Sequence, residues 1–187
     1  MRRFLIGVMA AVAAIGLGGV GVSAGGQNGQ LQAFGTGTVT ITGPDSATIV
    51  NAATKNGFQY GGVYVQSKSQ SGELIGAASF SFTSTGDVTG GSPRFSIPIN
   101  TGGGGGKATA WAFIDAAGCG GVSGGTTLVS TTNTACRVFF GTSISGYDNW
   151  DAFVAANPTY KIAQGNFPLI VADGAAGSYA ISSISLT

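Results

Sequence analysis

Lys107–Gly141, KATAWAFIDAAGCGGVSGGTTLVSTTNTACRVFFG, decides the fold class. Ala108, Ala110, Ala112 and Ile114 alternate with Thr109, Trp111 and Phe113, a period of two that predicts a β-strand. The chain turns from Asp115 to Gly125 and returns in two strand-like pieces, Thr126–Val129 and Arg137–Phe140. The only two cysteines of the chain, Cys119 and Cys136, stand at the turn and on the return. Paired, they close a loop of roughly 15 to 20 residues, worth about 3 kcal/mol through lost entropy of the unfolded chain.

Outward from this stretch the pattern stays that of strands. Val39 and Ile41 alternate with Thr38, Thr40 and Thr42 in an expected strand from Thr36 to Thr42, and Ala47–Val50 follows after the Gly43-Pro44-Asp45 turn. Phe58, Tyr60, Val63 and Val65 change parity at Gly61-Gly62, which predicts a bulge or a close backbone approach. Leu74, Ala78, Phe80 and Phe82 share one face of an expected long strand, followed by a loop from Thr83 to Pro93. Phe95, Ile97 and Ile99 alternate around Pro98, which lacks the N–H of a ladder and is expected on an edge or at a bulge. The glycine run Gly102–Gly106 reads as a mobile loop inside one domain, since neither half of the chain carries a complete pattern alone. Two last strands are expected at Leu169–Ala172 and Ser178–Leu186, the second changing parity at Ser182-Ser183.

One helix interrupts this series. Trp150, Phe153 and Val154 fall at i, i+3 and i+4, with Asp148 as the expected cap, Asp151 in the first turn and Asn157-Pro158 as the stop. Eight to ten short strands separated by glycine-rich turns predict an all-β fold. We expect a single antiparallel β-sandwich of immunoglobulin-like or jelly-roll kind, with one short helix and one disulfide.

The start of the chain reads as an export signal over residues 1–24. Arg2 and Arg3 form the basic region, Phe4–Val22 the apolar run and Val22-Ser23-Ala24 the cleavage site. A flexible glycine-rich leader is expected over residues 25–32, and the β-sandwich domain over residues 33–187. Removal of Arg2 and Arg3 leaves six of the eight Lys/Arg against seven Asp/Glu, a net charge of about minus one. Such a chain has no basic footprint for nucleic acid, and no membrane partner is expected after signal cleavage. Charged residues make up only 8% of the chain, but 43% is hydrophobic, so a packed core rather than disorder is implied. Cysteine pairing is expected over metal ligation in an exported chain. The location expected is secreted or cell-surface, and the general pattern is that of small exported β-sandwich proteins of bacteria.

The chain has no histidine, which removes Ser-His-Asp and Cys-His catalysis and imidazole-ligated zinc. Gly121-Val122-Ser123-Gly124-Gly125 matches G-x-S-x-G, but no strand-to-helix context or base accompanies it, and 34 glycines make the match ordinary. Thr101–Lys107 approaches a phosphate loop without its first glycine or its final hydroxyl. Asp148 and Asp151 are explained by a helix start better than by paired-carboxylate hydrolysis. The acids are scattered rather than set in a D-x-D-x-D run and read as solvated turn aspartates before loop ligands of calcium, and no cofactor is expected.

These exclusions leave a non-enzymatic module with a structural or adhesive role at the cell envelope or outside the cell. Its expected partners are itself, by strand addition, or a surface polysaccharide. The alternative is a carbohydrate-binding module gripping sugar with exposed aromatics, and Tyr147, Asn149, Trp150 and Tyr160 are its candidate residues. Phe58, Tyr60 and Tyr64 form a second aromatic set, whereas Trp111 is expected as a core anchor. Thr36–Thr42 and Ser178–Leu186 are the edges considered open to strand addition, with residues 25–32 as donor.

Overall fold

The computed structural model describes residues 30–187 except 105 and 142, so the expected signal and residues 25–29 lie outside the described residues. In chain order the strands are β1 (Gln30–Gly35), β2 (Thr38–Gly43), β3 (Ser46–Asn51), the small hairpin β4 (Ala53–Thr54) and β5 (Gly57–Phe58), and β6 (Gly61–Gln66). Then come β7 (Phe80–Gly86), β8 (Arg94–Asn100), β9 (Ala110–Asp115), β10 (Gly125–Ser130), β11 (Val138–Phe140) and β12 (Ser143–Tyr147). Helix α1 (Trp150–Ala156) precedes β13 (Lys161–Ile162), β14 (Leu169–Ala172) and β15 (Gly177–Leu186). An eight-stranded antiparallel sheet has the order β1-β6-β14-β8-β9-β11-β12, with β13 also on β8. A five-stranded sheet has the order β10-β7-β15-β3-β2, and the two pack face to face as a β-sandwich.

Alternation decides which side chains fill the space between them. Val63, Val65, Phe95, Ile97, Ile99, Ala112, Ile114 and Ile170 point inward from the larger sheet. Ala47, Ile49, Phe80, Phe82, Val129, Tyr179 and Ile181 do so from the smaller one. Phe95 meets Phe82 and Phe80 edge-on, with ring centroids 5.1 and 5.9 Å apart, which locks the two layers at their middle. In β15 the inward set changes from Tyr179 and Ile181 to Ile184 and Leu186. Ser183, at φ 52°, is the inserted residue that makes the change, as the parity of the sequence predicts.

The opening stretch crosses between the layers. β9 and β11 pair with each other in the larger sheet, whereas β10 pairs with β7 in the smaller. Cys119 and Cys136 flank this excursion and are joined by a disulfide spanning 17 positions. At the opposite side the chain itself crosses from β1 to β2. The N–H groups of Thr36 and Gly37 both donate to the Tyr60 carbonyl at 2.8 Å, and a Cβ at Gly35, φ +107°, would strike that same oxygen. The close approach expected at Gly61-Gly62 is present as well: a Cβ at Gly62 would meet the Ile170 carbonyl and the Phe34 ring.

Several expectations need correction. Gln30–Gln32, assigned to a structureless leader, belong to β1 and pair with Tyr64–Gln66, with Leu31 buried. The long strand from Leu74 is broken by a 3-10 turn at Ile75–Ala77, and strand β7 instead continues to Gly86, into the expected loop. Pro98 lies inside the sheet rather than on an edge. In an antiparallel strand the N and O of one residue face the same neighbour. The Pro98 carbonyl accepts from Ala163 N at 2.9 Å, so its missing donor falls in the gap between β14, paired to Arg94–Ser96, and β13, paired to Ile99 and Asn100. The strand Ser178–Leu186 is the centre of the smaller sheet, not an open edge. Asn149, not Asp148, caps α1, its side chain accepting from Ala152 N at 2.9 Å.

Candidate binding face on the larger sheet

The residues expected to grip sugar are brought together, but inward. Trp150 is 4% exposed and donates its indole N–H to the Ile75 carbonyl at 3.1 Å. The Phe153 ring lies 5.2 Å from Trp150 and 5.1 Å from Tyr147. Tyr160 packs at 5.7 Å from Phe140, and the Tyr147 hydroxyl accepts from Asn157 Nδ2 at 3.2 Å. With Asn149 occupied as the helix cap, the segment seals the core beside Phe80 rather than forming a flat outward platform. Of the second set, Phe58 and Tyr60 are exposed, and Tyr64 stacks on Phe34 with centroids 4.6 Å apart.

Trp111, expected in the core, stands on the outer face of the larger sheet. The interior is already filled by Phe80, Phe82 and Phe95, and β9 turns its small Ala112 and its Ile114 inward, which puts Trp111 and Phe113 outside. The registers then align side chains across strands. One outward row runs Phe34, Gly62, Val171, Arg94, Asp115. The next runs Gln32, Tyr64, Leu169, Ser96, Phe113, Phe139. Trp111 pairs with Pro98 in a third. On this face Phe34, Tyr64, Leu169, Trp111, Phe113 and Phe139 are half-buried, whereas Val171 of β14 and Ser96 and Pro98 of β8 are buried.

At one end of this face the polar groups gather. The Arg94 guanidinium lies over the Phe113 ring at 5.2 Å and bonds Asp173 Oδ2 through Nη2 at 2.7 Å. Arg137 lies over Phe139 at 5.7 Å. Asp115, the cross-strand partner of Arg94, is almost buried and accepts from Gly118 N at 2.6 Å through Oδ1, bracing the turn that leads to Cys119. Gly91, Arg94, Phe113, Asp115 and Phe139 line a shallow groove of about 270 Å³.

The rim of that groove is tied down. Ser92 Oγ accepts from Asp173 N at 2.9 Å and from Gly174 N at 2.7 Å. Ser123, the serine of the G-x-S-x-G match, bonds the backbone of Val88 in both directions, at 2.9 and 3.2 Å. Its hydroxyl pins a loop. Among the described residues no three of His, Cys, Asp and Glu converge as a metal site would require, and no helix is long and apolar enough to cross a membrane.

Comparison with family models, with curated proteins and with solved structures finds no match for this chain. The class defined by the fold is a disulfide-tied antiparallel β-sandwich.

Proposed function

We propose that the chain is an exported, non-catalytic β-sandwich module with a structural or adhesive role at the cell envelope or outside the cell, and that the outer face of the larger sheet is its contact surface. The observation that carries this is the pair of cross-strand rows that bring Phe34, Tyr64, Leu169, Phe113 and Phe139, all half-buried, together on one outer face around the buried Val171. Contiguous apolar patches on a soluble domain mark contact with another macromolecule, and aromatic residues supply large rigid contact area. The disulfide suits an oxidising compartment.

The test is retention of the purified domain on cell-envelope and extracellular polysaccharide fractions. Tyr64→Ser and Trp111→Ser, both on the outer face, are expected to weaken retention without lowering stability by more than a surface change does. Retention unchanged in both variants, or absent from the wild type, overturns the reading.

A further inference from the structure

We propose that the groove between Arg94, Phe113 and Phe139 is a binding subsite for one ring unit of a neutral saccharide. The inference rests on the outer face being the contact surface and names what that surface takes.

Size sets the first limit. A groove of about 270 Å³ lies just below the range of sites for drug-sized molecules, roughly 300 to 1,000 Å³, so it accommodates one unit of a chain that continues over the sheet. The half-buried Leu169 and Tyr64, in the same cross-strand row as Phe113, provide the continuation beyond the buried Ser96.

Charge sets the second. Arg94 and Arg137 are matched by Asp115 and Asp173 around the same spot, and Arg94 is already neutralised by Asp173 at 2.7 Å. The groove itself is lined by one guanidinium, Arg94, and one carboxylate, Asp115, so an anion meets a carboxylate and a cation a guanidinium, and the balance favours a neutral ligand.

Chemistry sets the third. Phe113 and Phe139 stand opposite each other, each with an arginine guanidinium over its ring, and the apolar surface these half-buried rings leave uncovered faces the C–H groups of a pyranose. Beside them, hydroxyls need both donors and acceptors. Arg94 uses Nη2 for Asp173 and buries Nε, leaving Nη1 as the donor, and Gly118 takes only Oδ1 of Asp115. Asp115 Oδ2 borders Gly91, where a Cβ would lie 3.8 Å away and where φ is +77°, so glycine keeps this rim bare. Ser92, next to Gly91 in the chain, is fully buried and fixed to the backbone of Asp173 and Gly174, which spares this rim the cost of ordering on binding.

The test presents the disulfide-intact protein to an array of neutral and acidic oligosaccharides and titrates the best neutral one against wild type, Phe139→Ala and Arg94→Gln. Each variant is expected to bind about tenfold more weakly or worse, at a melting temperature close to wild type for Phe139→Ala. If Arg94→Gln does not fold, Phe139→Ala decides. Three results overturn the proposal: no neutral saccharide bound, binding equal to wild type in Phe139→Ala, or binding confined to acidic saccharides and removed by salt. A wild type that is retained on envelope fractions but binds no neutral saccharide overturns the saccharide inference alone. Absence of both overturns the adhesive reading with it.

Discussion

Trp150 reaches across 75 positions of sequence to donate its indole N–H to the carbonyl of Ile75, at 3.1 Å and out of contact with water. This bond joins the helix to the 3-10 turn before β7, so Trp150 is a structural residue. Trp150→Phe keeps most of the packing but strands a buried carbonyl and is expected to cost about 1–3 kcal/mol. Trp150→Ala adds a cavity and is expected to cost about 3–5 kcal/mol. Urea unfolding measures both, and saccharide titration of Trp150→Phe is expected to match wild type.

The disulfide constrains the unfolded chain over 17 positions, and its loss is expected to cost about 3 kcal/mol. Cys119→Ala/Cys136→Ala compared with wild type in urea gives the difference. Thiol titration of unreduced protein is expected to find no free thiol.

Ser123→Ala removes two hydrogen bonds to Val88 at a partly solvated loop, with an expected cost of about 0.5–1.5 kcal/mol. The same variant is expected to leave any hydrolytic background unchanged, because Ser123 holds a loop. A hydrolysis rate that falls with Ser123→Ala would contradict this.

Self-association by strand addition, where it occurs, is expected to run through β2. β15 lies between β7 and β3 and has no side to offer, and β10 has its Leu128 carbonyl taken by Asn133 Nδ2 at 3.1 Å. β2 ends the smaller sheet with Thr38 and Thr40 exposed and no charge on it. Thr40→Lys places a guarding charge there. Light scattering at high micromolar concentration is expected to show association in wild type and its loss in Thr40→Lys; equal association in both would send the contact elsewhere.

The legible parts of the sequence were those where one period has one meaning. Leu169–Ala172, a short continuous apolar run, is β14 residue for residue, and the Ser182-Ser183 parity change is a bulge, because only an inserted residue returns the apolar side chains of β15 to the inner face. The outer face was hidden. Along β9 the bulky Trp111 looked like a core anchor, and only the fill of the interior by phenylalanines from β7 and β8 shows that Ala112 and Ile114 belong inside instead. Pro98 misled for a related reason: its tolerance depends on a gap between β13 and β14, which are distant in sequence. Arg94 and Phe139 drew no notice because cross-strand alignment, not spacing along the chain, puts them together.

The position of the disulfide also has a mechanical meaning. Cys119 and Cys136 bracket the whole of β10, so a tension applied along the backbone passes through the sulfur bridge and bypasses that strand. The bypassed segment would extend to about 55–60 Å if it were paid out. In an oxidising setting that length stays hidden from the load, and β10 remains docked on β7 while the flanking strands bear the pull; under reducing conditions the same segment becomes slack that the chain can release.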